Sequence, residues 1–329
     1  MSESSHSEVL RGTHVLDGGM ASELEHLGAN IDGPLWSAHV LEDAPEKILA
    51  VHRAYIAAGA QCIETASYQV SRMGYAEFGL APDRADAALL RSVELARKAA
   101  NEVSEKRILV AVSLGPYGAA LHNGAEYHGN YDCTYADQVA FHSARIEVLS
   151  GIKALQVLAF ETLPSLEEAQ AIGEALAPHP NLAAWFTFTC KDEKHVAHGE
   201  LLRECAAAVA AFPQTIAIGI NCTHPSLIAS LIGELRAAHG AHAALTKPIV
   251  VYPNAGEDWD AAARSWTGSS DPAAYGARAS EWLSAGAQIV GGCCRTRPAH
   301  IAEVARAAAA HTPSAGPSSH QSSVSSARI

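Results

Sequence analysis

The stretch Gln288-Ile-Val-Gly-Gly-Cys-Cys-Arg295 joins an apolar run to two glycines and two adjacent cysteines. Thr215-Ile-Ala-Ile-Gly-Ile-Asn-Cys222 has the same design, with a cysteine near the end of an apolar run. Short apolar runs of this kind are typical of buried strands. Glycine lets another group approach the backbone closely, so we expect Gly291 and Gly292 to leave room beside the thiols for a ligand. Both stretches therefore predict strands that carry thiols at their carboxyl ends.

Six further apolar runs follow the same plan, and helical periodicity separates one run from the next. The eight runs end near Asp17, Glu64, Ser113, Glu161, Cys190, Cys222, Asn254 and Cys293. Continuous apolar runs are typical of parallel strands that are buried on both faces. Eight alternating units in 329 residues predict a single (β/α)8 TIM barrel over residues 12–311. A doubly wound open sheet is the alternative, but no Gly-x-Gly-x-x-Gly motif follows an early strand.

Helix starts carry their own signals in this chain. Ser165-Leu-Glu-Glu168 places a hydroxyl three residues before an acid, which predicts a capping box at the start of a helix. Pro298 suits a first helical turn and predicts a final helix that ends at about residue 310.

The two ends of the chain differ in composition from the predicted barrel. Residues 1–11 are mostly polar and are predicted to be flexible, and residues 312–329 are rich in serine and are predicted to be disordered. The N-terminal segment lacks a basic region followed by an apolar one, and no apolar run reaches the length of a membrane span. We therefore expect a cytoplasmic protein without a membrane partner.

Charge and cysteine content exclude several classes of protein. A formal net charge of -12 argues against nucleic-acid binding, which usually requires a basic face. Seven cysteines, an odd number in a long chain, do not resemble a disulfide framework, so we expect reduced thiols. The sequence carries no signal for the oligomeric state.

In a barrel of this class the active site lies at the carboxyl ends of the strands. Cys222, Cys293 and Cys294 would therefore meet there and form a metal site. Three protein ligands and one open position are the arrangement of catalytic zinc, so the predicted cofactor is Zn²⁺. Three thiolates around Zn²⁺ leave a formal charge of about -1, which suits a fourth thiolate better than the activation of water. The chemistry that this site predicts is the alkylation of a thiol.

Other interpretations of the cysteines stay open. Cys293 and Cys294 can form a vicinal disulfide, a redox element, although Cys222 would then have no role. A non-catalytic zinc-binding or redox-sensing barrel is the competing class of function. Isolated strand cysteines are usually packing residues, and we interpret Cys62 and Cys190 in that way.

Four short motifs together resemble the zinc-dependent homocysteine S-methyltransferases. They are Asp-Gly-Gly at 17–19, Phe-Glu-Thr at 160–162, Gly-Ile-Asn-Cys at 219–222 and Gly-Gly-Cys-Cys at 291–294. Two more, Glu-Thr-Ala-Ser-Tyr-Gln at 64–69 and Tyr-Pro-Asn-Ala-Gly-Glu at 252–257, resemble the branch that uses S-methylmethionine or S-adenosylmethionine. The resemblance covers about residues 11–310, with the motifs in the same order.

This resemblance implies an enzyme that transfers a methyl group from a sulfonium donor to homocysteine and forms methionine. It implies that the three cysteines hold zinc and that the homocysteine sulfur is the fourth ligand. Asp17 and Glu161 are implied to hold the amino-acid part of homocysteine, because carboxylates accept hydrogen bonds from its ammonium group. Three further residues are expected to line the same pocket: Asn221, Ser67 and Tyr68.

The identity of the donor depends on the residue that follows Glu161. The betaine-using branch of the family is expected to have an aromatic residue there, since aromatic cages suit quaternary ammonium groups. This chain has Thr162, which favours a sulfonium donor over betaine. A betaine donor and selenocysteine or another small thiol as acceptor are the alternatives. The loop at 117–133, which contains Tyr127, is expected to close over the donor or to be an ordinary surface loop.

Overall fold

A computed structural model describes residues 9–31, 37–103, 107–155, 157–241, 247–260, 265–267 and 270–311. The disorder predicted for residues 312–329, and the flexibility predicted for residues 1–8 of the N-terminal segment, fall outside the described residues. Among the described residues, no helix is both long enough and apolar enough to cross a membrane.

One parallel sheet forms the centre of the fold. The strands of the described residues are β1 (Cys62–Glu64), β2 (Leu109–Leu114), β3 (Val157–Leu163), β4 (Ala184–Phe188), β5 (Thr215–Asn221), β6 (Ile249–Tyr252), β7 (Asp258–Asp260), β8 (Ser265–Thr267) and β9 (Ile289–Val290). Seven of them form the parallel sheet, in the order β1-β2-β3-β4-β5-β6-β9. A two-stranded antiparallel hairpin, β7 with β8, was not predicted and forms a separate small sheet.

Helices separate most of the parallel strands along the chain, as the sequence predicted. The helices of the described residues are α1 (Met20–His26), α2 (Ser37–Asp43), α3 (Pro45–Ala57), α4 (Arg72–Ala76), α5 (Pro82–Asn101), α6 (Tyr135–Ser150), α7 (Leu166–Leu176), α8 (Leu202–Ala210), α9 (Ile228–Ala241), α10 (Pro272–Ala285) and α11 (Pro298–Ala310). Short 3-10 helices occupy Tyr117–Leu121, Ala125–Tyr127 and Pro225–Leu227. The α/β class of the prediction is therefore confirmed.

The first predicted strand is not a strand of this sheet. Val15 forms a single parallel bridge with Val290 of β9, and Leu16 forms one with Cys62 of β1. Two bridged residues are too short a contact for a regular ladder. Gly18 and Gly19 follow within three residues and turn the chain away. The prediction of eight regular strands is corrected to seven strands and two bridges.

The side chains of the strands alternate between two buried layers, as the period of two in a strand requires. In β2, Leu109 and Ala111 belong to a buried apolar cluster that also contains Trp185. Every strand of the parallel sheet contributes at least one residue to this cluster. Val110 and Val112 point to the opposite face and pack in the larger cluster with the helices. Burial on both faces explains why the strands have continuous apolar sequences.

The predicted capping box at Ser165 forms only in part. The Ser165 hydroxyl accepts a hydrogen bond from the backbone N–H of Glu168 at 3.2 Å, as expected of an N-cap residue. The Glu168 carboxylate does not return to Ser165 and instead has partners on another segment. A complete capping box occurs at the start of α6, between Thr134 and Asp137.

Candidate active site

Two strand ends bring three cysteines together. Cys222 directly follows β5, and Cys293 and Cys294 follow β9, with β6 between these two strands. The Sγ atoms of Cys222 and Cys294 are 3.6 Å apart, and those of Cys293 and Cys294 are 4.0 Å apart. All three sulfur atoms lie within 4.8 Å of one another. This is the one group of three possible metal ligands found among the described residues.

The backbone at Cys222 is held in a conformation that residues other than glycine rarely adopt. Its φ angle is 46°. Its N–H donates to the carbonyl of Tyr252 at 3.2 Å, and its carbonyl accepts from the Thr189 hydroxyl at 3.0 Å. Such a conformation costs about 1–3 kcal/mol and persists only where the surroundings impose it. The neighbouring strands thus fix the direction of this thiol.

The three thiols perturb one another. The pKa of the Cys294 thiol is held well below its usual range, because hydrogen bonds from Cys222 and then from Cys293 stabilise its thiolate. The pKa of Cys293 is raised, mainly because of its hydrogen bond with Cys222 and then of that with Cys294. A cysteine must lose its proton before it can bind a metal. Because the other two thiols donate hydrogen bonds to Cys294, this cysteine is the first of the three to be deprotonated.

The two glycines before the cysteines have close neighbours that the sequence did not predict. A Cβ atom on Gly291 would lie 2.6 Å from the Cβ of Leu16 and 2.8 Å from the carbonyl oxygen of Asp17. A Cβ atom on Gly292 would collide with the side chain of Thr296, and Gly292 also lines the cavity beside the thiols. The missing side chains therefore make room for the N-terminal segment and the following turn, and the expected room for a ligand stays a prediction.

The cysteines open into a cavity of about 190 Å³ at the carboxyl ends of the strands. Its wall combines sulfur atoms, two aromatic rings, carboxylates and backbone from the glycine turn after residue 17. The lining residues include Gly18, Gly19, Ile31, Glu64, Tyr68, Tyr127, Glu161, Thr162, Cys222, Cys293, Cys294 and Arg295. A volume of this size accommodates a small molecule rather than a polymer.

The carboxylates of Glu64 and Glu161 line this cavity, and Asp17 lies beside Glu64 but is not itself a lining residue. Asp17 and Glu161 are 2% and 5% exposed, and burial is the main cause that raises the pKa of each. For Glu161 the pKa rises to about 7. The Oδ2 atom of Asp17 accepts from the backbone N–H of Glu64 at 2.9 Å, and Glu161 accepts from the Ser113 hydroxyl. Buried acids with raised pKa values are common in functional sites and indicate a place for a cationic ligand.

Asn221 orients the residues around Glu161. Its Oδ1 accepts from the backbone N–H of Thr162 at 2.7 Å and from the Thr187 hydroxyl at 2.9 Å. Its Nδ2 donates to the Thr162 hydroxyl at 2.8 Å and to Glu161 Oε2 at 3.5 Å. Asn221 is fully buried, so the structure places it behind the cavity wall, where it connects β5 with β3.

Comparison with known proteins places this geometry in a family. The family model described as homocysteine S-methyltransferase matches residues 14–308. The chain belongs to the homocysteine S-methyltransferase family. The homocysteine S-methyltransferase of Escherichia coli is 44% identical over 88% of this chain and 93% of its own length. For the selenocysteine Se-methyltransferase of Brassica oleracea the identity is 38%, over 88% of this chain and 87% of that protein.

A solved structure of the family has the same overall fold. The metallated form of the homocysteine methyltransferase MmuM from Escherichia coli superposes with a TM-score of 0.78 and 40% sequence identity. The alignment covers 91% of this chain and 99% of that chain. The resemblance inferred from the short motifs is therefore confirmed at the level of the family.

In this member of the homocysteine S-methyltransferase family, Tyr68 and Ser67 have different positions. Tyr68 lines the cavity. Ser67 is fully buried, and its hydroxyl donates to the carbonyl of Ser113 at 2.8 Å and contacts the Thr65 hydroxyl at 2.6 Å. Ser67 thus supports the strand that carries Ser113, and does not form part of the cavity wall.

The loop at 117–133 reaches the thiols. The hydroxyl of Tyr127 lies 3.5 Å from the Sγ atom of Cys222, although half of the tyrosine is exposed. The preceding residue, Glu126, is buried, and its pKa is raised to about 7, mainly by burial. The sequence left open whether this loop closes over the donor or is an ordinary surface loop, and the contact between Tyr127 and Cys222 depends on the folded path of the loop.

Glu168 anchors that loop to the neighbouring helices. Its carboxylate accepts from the backbone N–H of Tyr117, from the Tyr131 hydroxyl at 2.8 Å and from Nε2 of His142 at 2.9 Å. Arg145 donates to Nδ1 of His142 at 2.9 Å, so Nε2 carries the proton. Burial lowers the pKa of His142 to about 4, which keeps the ring neutral at physiological pH. This network ties both ends of the loop to α6 and α7.

Glu64 is the acid to which sequence analysis assigned no role. Its position at the end of β1 was recognised, but a single acid after a strand does not reveal its neighbours. The structure places it in the cavity wall and next to Asp17 and Glu161. A count of acids at the strand ends would have singled out these three together.

Proposed function

We propose that this protein transfers a methyl group from a sulfonium donor to the sulfur of homocysteine and forms methionine. The observation that carries the proposal is the convergence of Cys222, Cys293 and Cys294 on a cavity with buried carboxylates. The relatives support it, since the Escherichia coli protein is a homocysteine S-methyltransferase by name and covers most of the chain. Fold alone would not support this, because one fold hosts many chemistries.

The three cysteines fit a resident Zn²⁺ ion. Their sulfur atoms are close enough to share one ion, and thiolates are preferred ligands of zinc. The crystal structure of the MmuM relative in metallated form is consistent with a metal at this place. When bound, zinc would keep the thiol of a substrate deprotonated and nucleophilic at neutral pH.

The residues of the chain bind and orient the acceptor. Asp17 and Glu161 accept hydrogen bonds from the ammonium group of homocysteine, and Asn221 with Ser113 holds Glu161 in position. The lone pair of the thiolate sulfur forms the new S–CH3 bond as the bond between the methyl carbon and the sulfonium sulfur breaks. The electron pair of the broken bond stays on the donor sulfur, which leaves neutral, so no general acid is required. Positioning of the two substrates in the cavity supplies the remaining part of catalysis.

The cavity favours a sulfonium donor. Tyr68 and Tyr127 offer aromatic faces to a cation, and Thr162 stands where the betaine-using branch is expected to have an aromatic residue. Selenocysteine is the second candidate acceptor, because the relative from Brassica oleracea is a selenocysteine Se-methyltransferase by name. Sulfur and selenium differ little in the shape of the molecule, so the same cavity suits both.

The proposal also includes a closed barrel and a cytoplasmic location. Residues 14–17 bridge β9 on one side and β1 on the other, and we infer that they act as the eighth strand of a closed TIM barrel. The barrel forms one domain over residues 12–311. The seven cysteines are free thiols, which suits the reducing cytoplasm.

A donor panel tests the proposed function. Purified reduced protein loaded with Zn²⁺ is given homocysteine together with S-methylmethionine, S-adenosylmethionine or betaine, and methionine is quantified by mass spectrometry. Methionine is expected with at least one sulfonium and not with betaine. Selenocysteine in place of homocysteine is the parallel arm. Zinc-loaded protein that forms no methylated product from any pair would overturn the proposal.

A further inference from the structure

Glu64 places a carboxylate in the cavity without a matching cation. The side chain lines the cavity at the end of β1, and its Oε1 atom is buried and has no hydrogen-bond partner among the described residues. The nearby Oδ1 atom of Asp17, a residue only 2% exposed, also has no partner in the described part of the chain. Burial of an unpaired carboxylate costs free energy, so both atoms indicate a ligand.

Three acids meet at this point. The backbone N–H of Glu64 donates to Oδ2 of Asp17 at 2.9 Å, which fixes these two residues side by side. Glu161 is close enough to both residues for its charge to act on each of them. The pKa of Glu64 is raised well above its usual range, mainly by burial and then by the charges of Glu161 and Asp17.

In the described part of the chain, lysine and arginine side chains do not balance these charges. Among the described residues, no lysine or arginine forms an ion pair with any of the three acids. Arg295 lines the same cavity, but its guanidinium pairs with Glu257 at 2.9 Å and with Glu25 at 4.0 Å. The raised pKa values show that ionisation of these acids is unfavourable without a cation, so a bound cationic ligand would stabilise their ionised form.

We propose that Glu64 is a third acceptor for the primary ammonium group of homocysteine, beside Asp17 and Glu161. An ammonium group has three N–H donors, and the cluster offers three acceptors with little or no other bonding: Asp17 Oδ1, Glu64 Oε1 and Glu161 Oε2. This inference rests on the proposed function and names the part of the acceptor that is selected. The site would require an unsubstituted α-amino group and reject thiols without one.

The position of Glu64 assigns it to the acceptor rather than to the donor. Its backbone hydrogen bond to Asp17 and the effect of the Glu161 charge on its pKa place it beside the two carboxylates that are proposed to hold homocysteine. Tyr127, which is proposed to contact the donor, instead lies against Cys222, 3.5 Å from its Sγ atom.

Calorimetric binding measurements test the assignment. Zinc-loaded wild-type protein, Glu64→Gln and the control Glu46→Gln, an exposed acid of α3, are titrated with L-homocysteine and with 4-mercaptobutanoate, which lacks the amino group. Glu64→Gln is expected to weaken homocysteine binding about 10- to 100-fold, the range for a lost hydrogen bond to a charged group. Binding of 4-mercaptobutanoate should change less than about threefold, and the control should match the wild type.

Thermal unfolding separates binding from folding. Because Glu64→Gln removes a buried charge, the variant without substrate should unfold at the same or a higher temperature than the wild type. Unchanged homocysteine binding, or equal weakening for both thiols, would overturn the inference. In those cases wild-type methionine formation would still support the proposed function. If the wild type neither binds nor methylates homocysteine, both fail.

Discussion

Glu161→Gln provides a quantitative test of the buried acid cluster. Burial raises the pKa of Glu161 from 4.5 to about 7 in the folded protein. Between these pH values the folded chain holds a proton that the unfolded chain releases. The stability that comes from this proton is present below pH 4.5 and is lost as the pH rises through 7. The amide of the Glu161→Gln variant does not titrate, so the variant should escape this loss.

The size of the effect follows from the pKa. A change from 4.5 to about 7 corresponds to about 3 kcal/mol, at about 1.4 kcal/mol for each pH unit. This free energy is an upper value. The charge of Glu161 also raises the pKa values of Asp17 and Glu64, so both of these pKa values change when the substitution removes that charge. For a chain of this length, about 1 kcal/mol corresponds to about 2 °C in Tm, so the full effect is about 6 °C.

Thermal unfolding of reduced, metal-free protein at pH 5 and pH 8, followed by circular dichroism, measures this quantity. The compared value is Tm of Glu161→Gln minus Tm of the wild type, which cancels any cost of the amide that is independent of pH. This value should be about 3–5 °C more positive at pH 8 than at pH 5, and the exposed variant Glu46→Gln should show no such change. A difference that is constant, or that falls with rising pH, would refute the reasoning.

Three further substitutions test other parts of the site. Asn221→Ala leaves the buried backbone N–H of Thr162 without its acceptor, and the free energy of unfolding in denaturant should fall by about 2–4 kcal/mol. A decrease below about 0.5 kcal/mol would contradict the role of Asn221 in connecting β5 with β3. Cys294→Ala should reduce the zinc content from about one per chain to near zero, whereas Cys205→Ala, a buried cysteine of α8, should retain it; zinc in both would exclude the proposed ligand set. Tyr131→Phe removes one donor to Glu168 and should speed hydrogen exchange in the 117–131 loop about fivefold; unchanged exchange would show that the loop is held elsewhere.

The alternation of strands and helices was predictable because its signals are local. Strands buried on both faces require continuous apolar runs, and β5 and β9 have them. Helix ends also follow local rules, as the predicted final helix from Pro298 shows. The thiol cluster could be predicted because strand ends of a parallel sheet meet at one edge, which brings distant cysteines together.

The features that could not be predicted depend on contacts between distant residues. Val15 and Leu16 have the sequence of a strand, yet two residues of pairing make only bridges. Glu168 has the sequence of a capping box, but His142 and Tyr131 compete for its carboxylate. Gly291 accommodates the N-terminal segment, and nothing in its own stretch identifies that neighbour.

The central claim is that three thiolates hold a metal and leave one position for the thiol of the substrate. X-ray absorption at the zinc edge, measured on zinc-loaded protein with and without L-homocysteine, tests it most directly. Three sulfur ligands at about 2.3 Å are expected in the free protein and four after homocysteine binds. A sulfur count that stays at three, or that is already four in the free protein, would show that homocysteine does not fill an open position of a three-cysteine site.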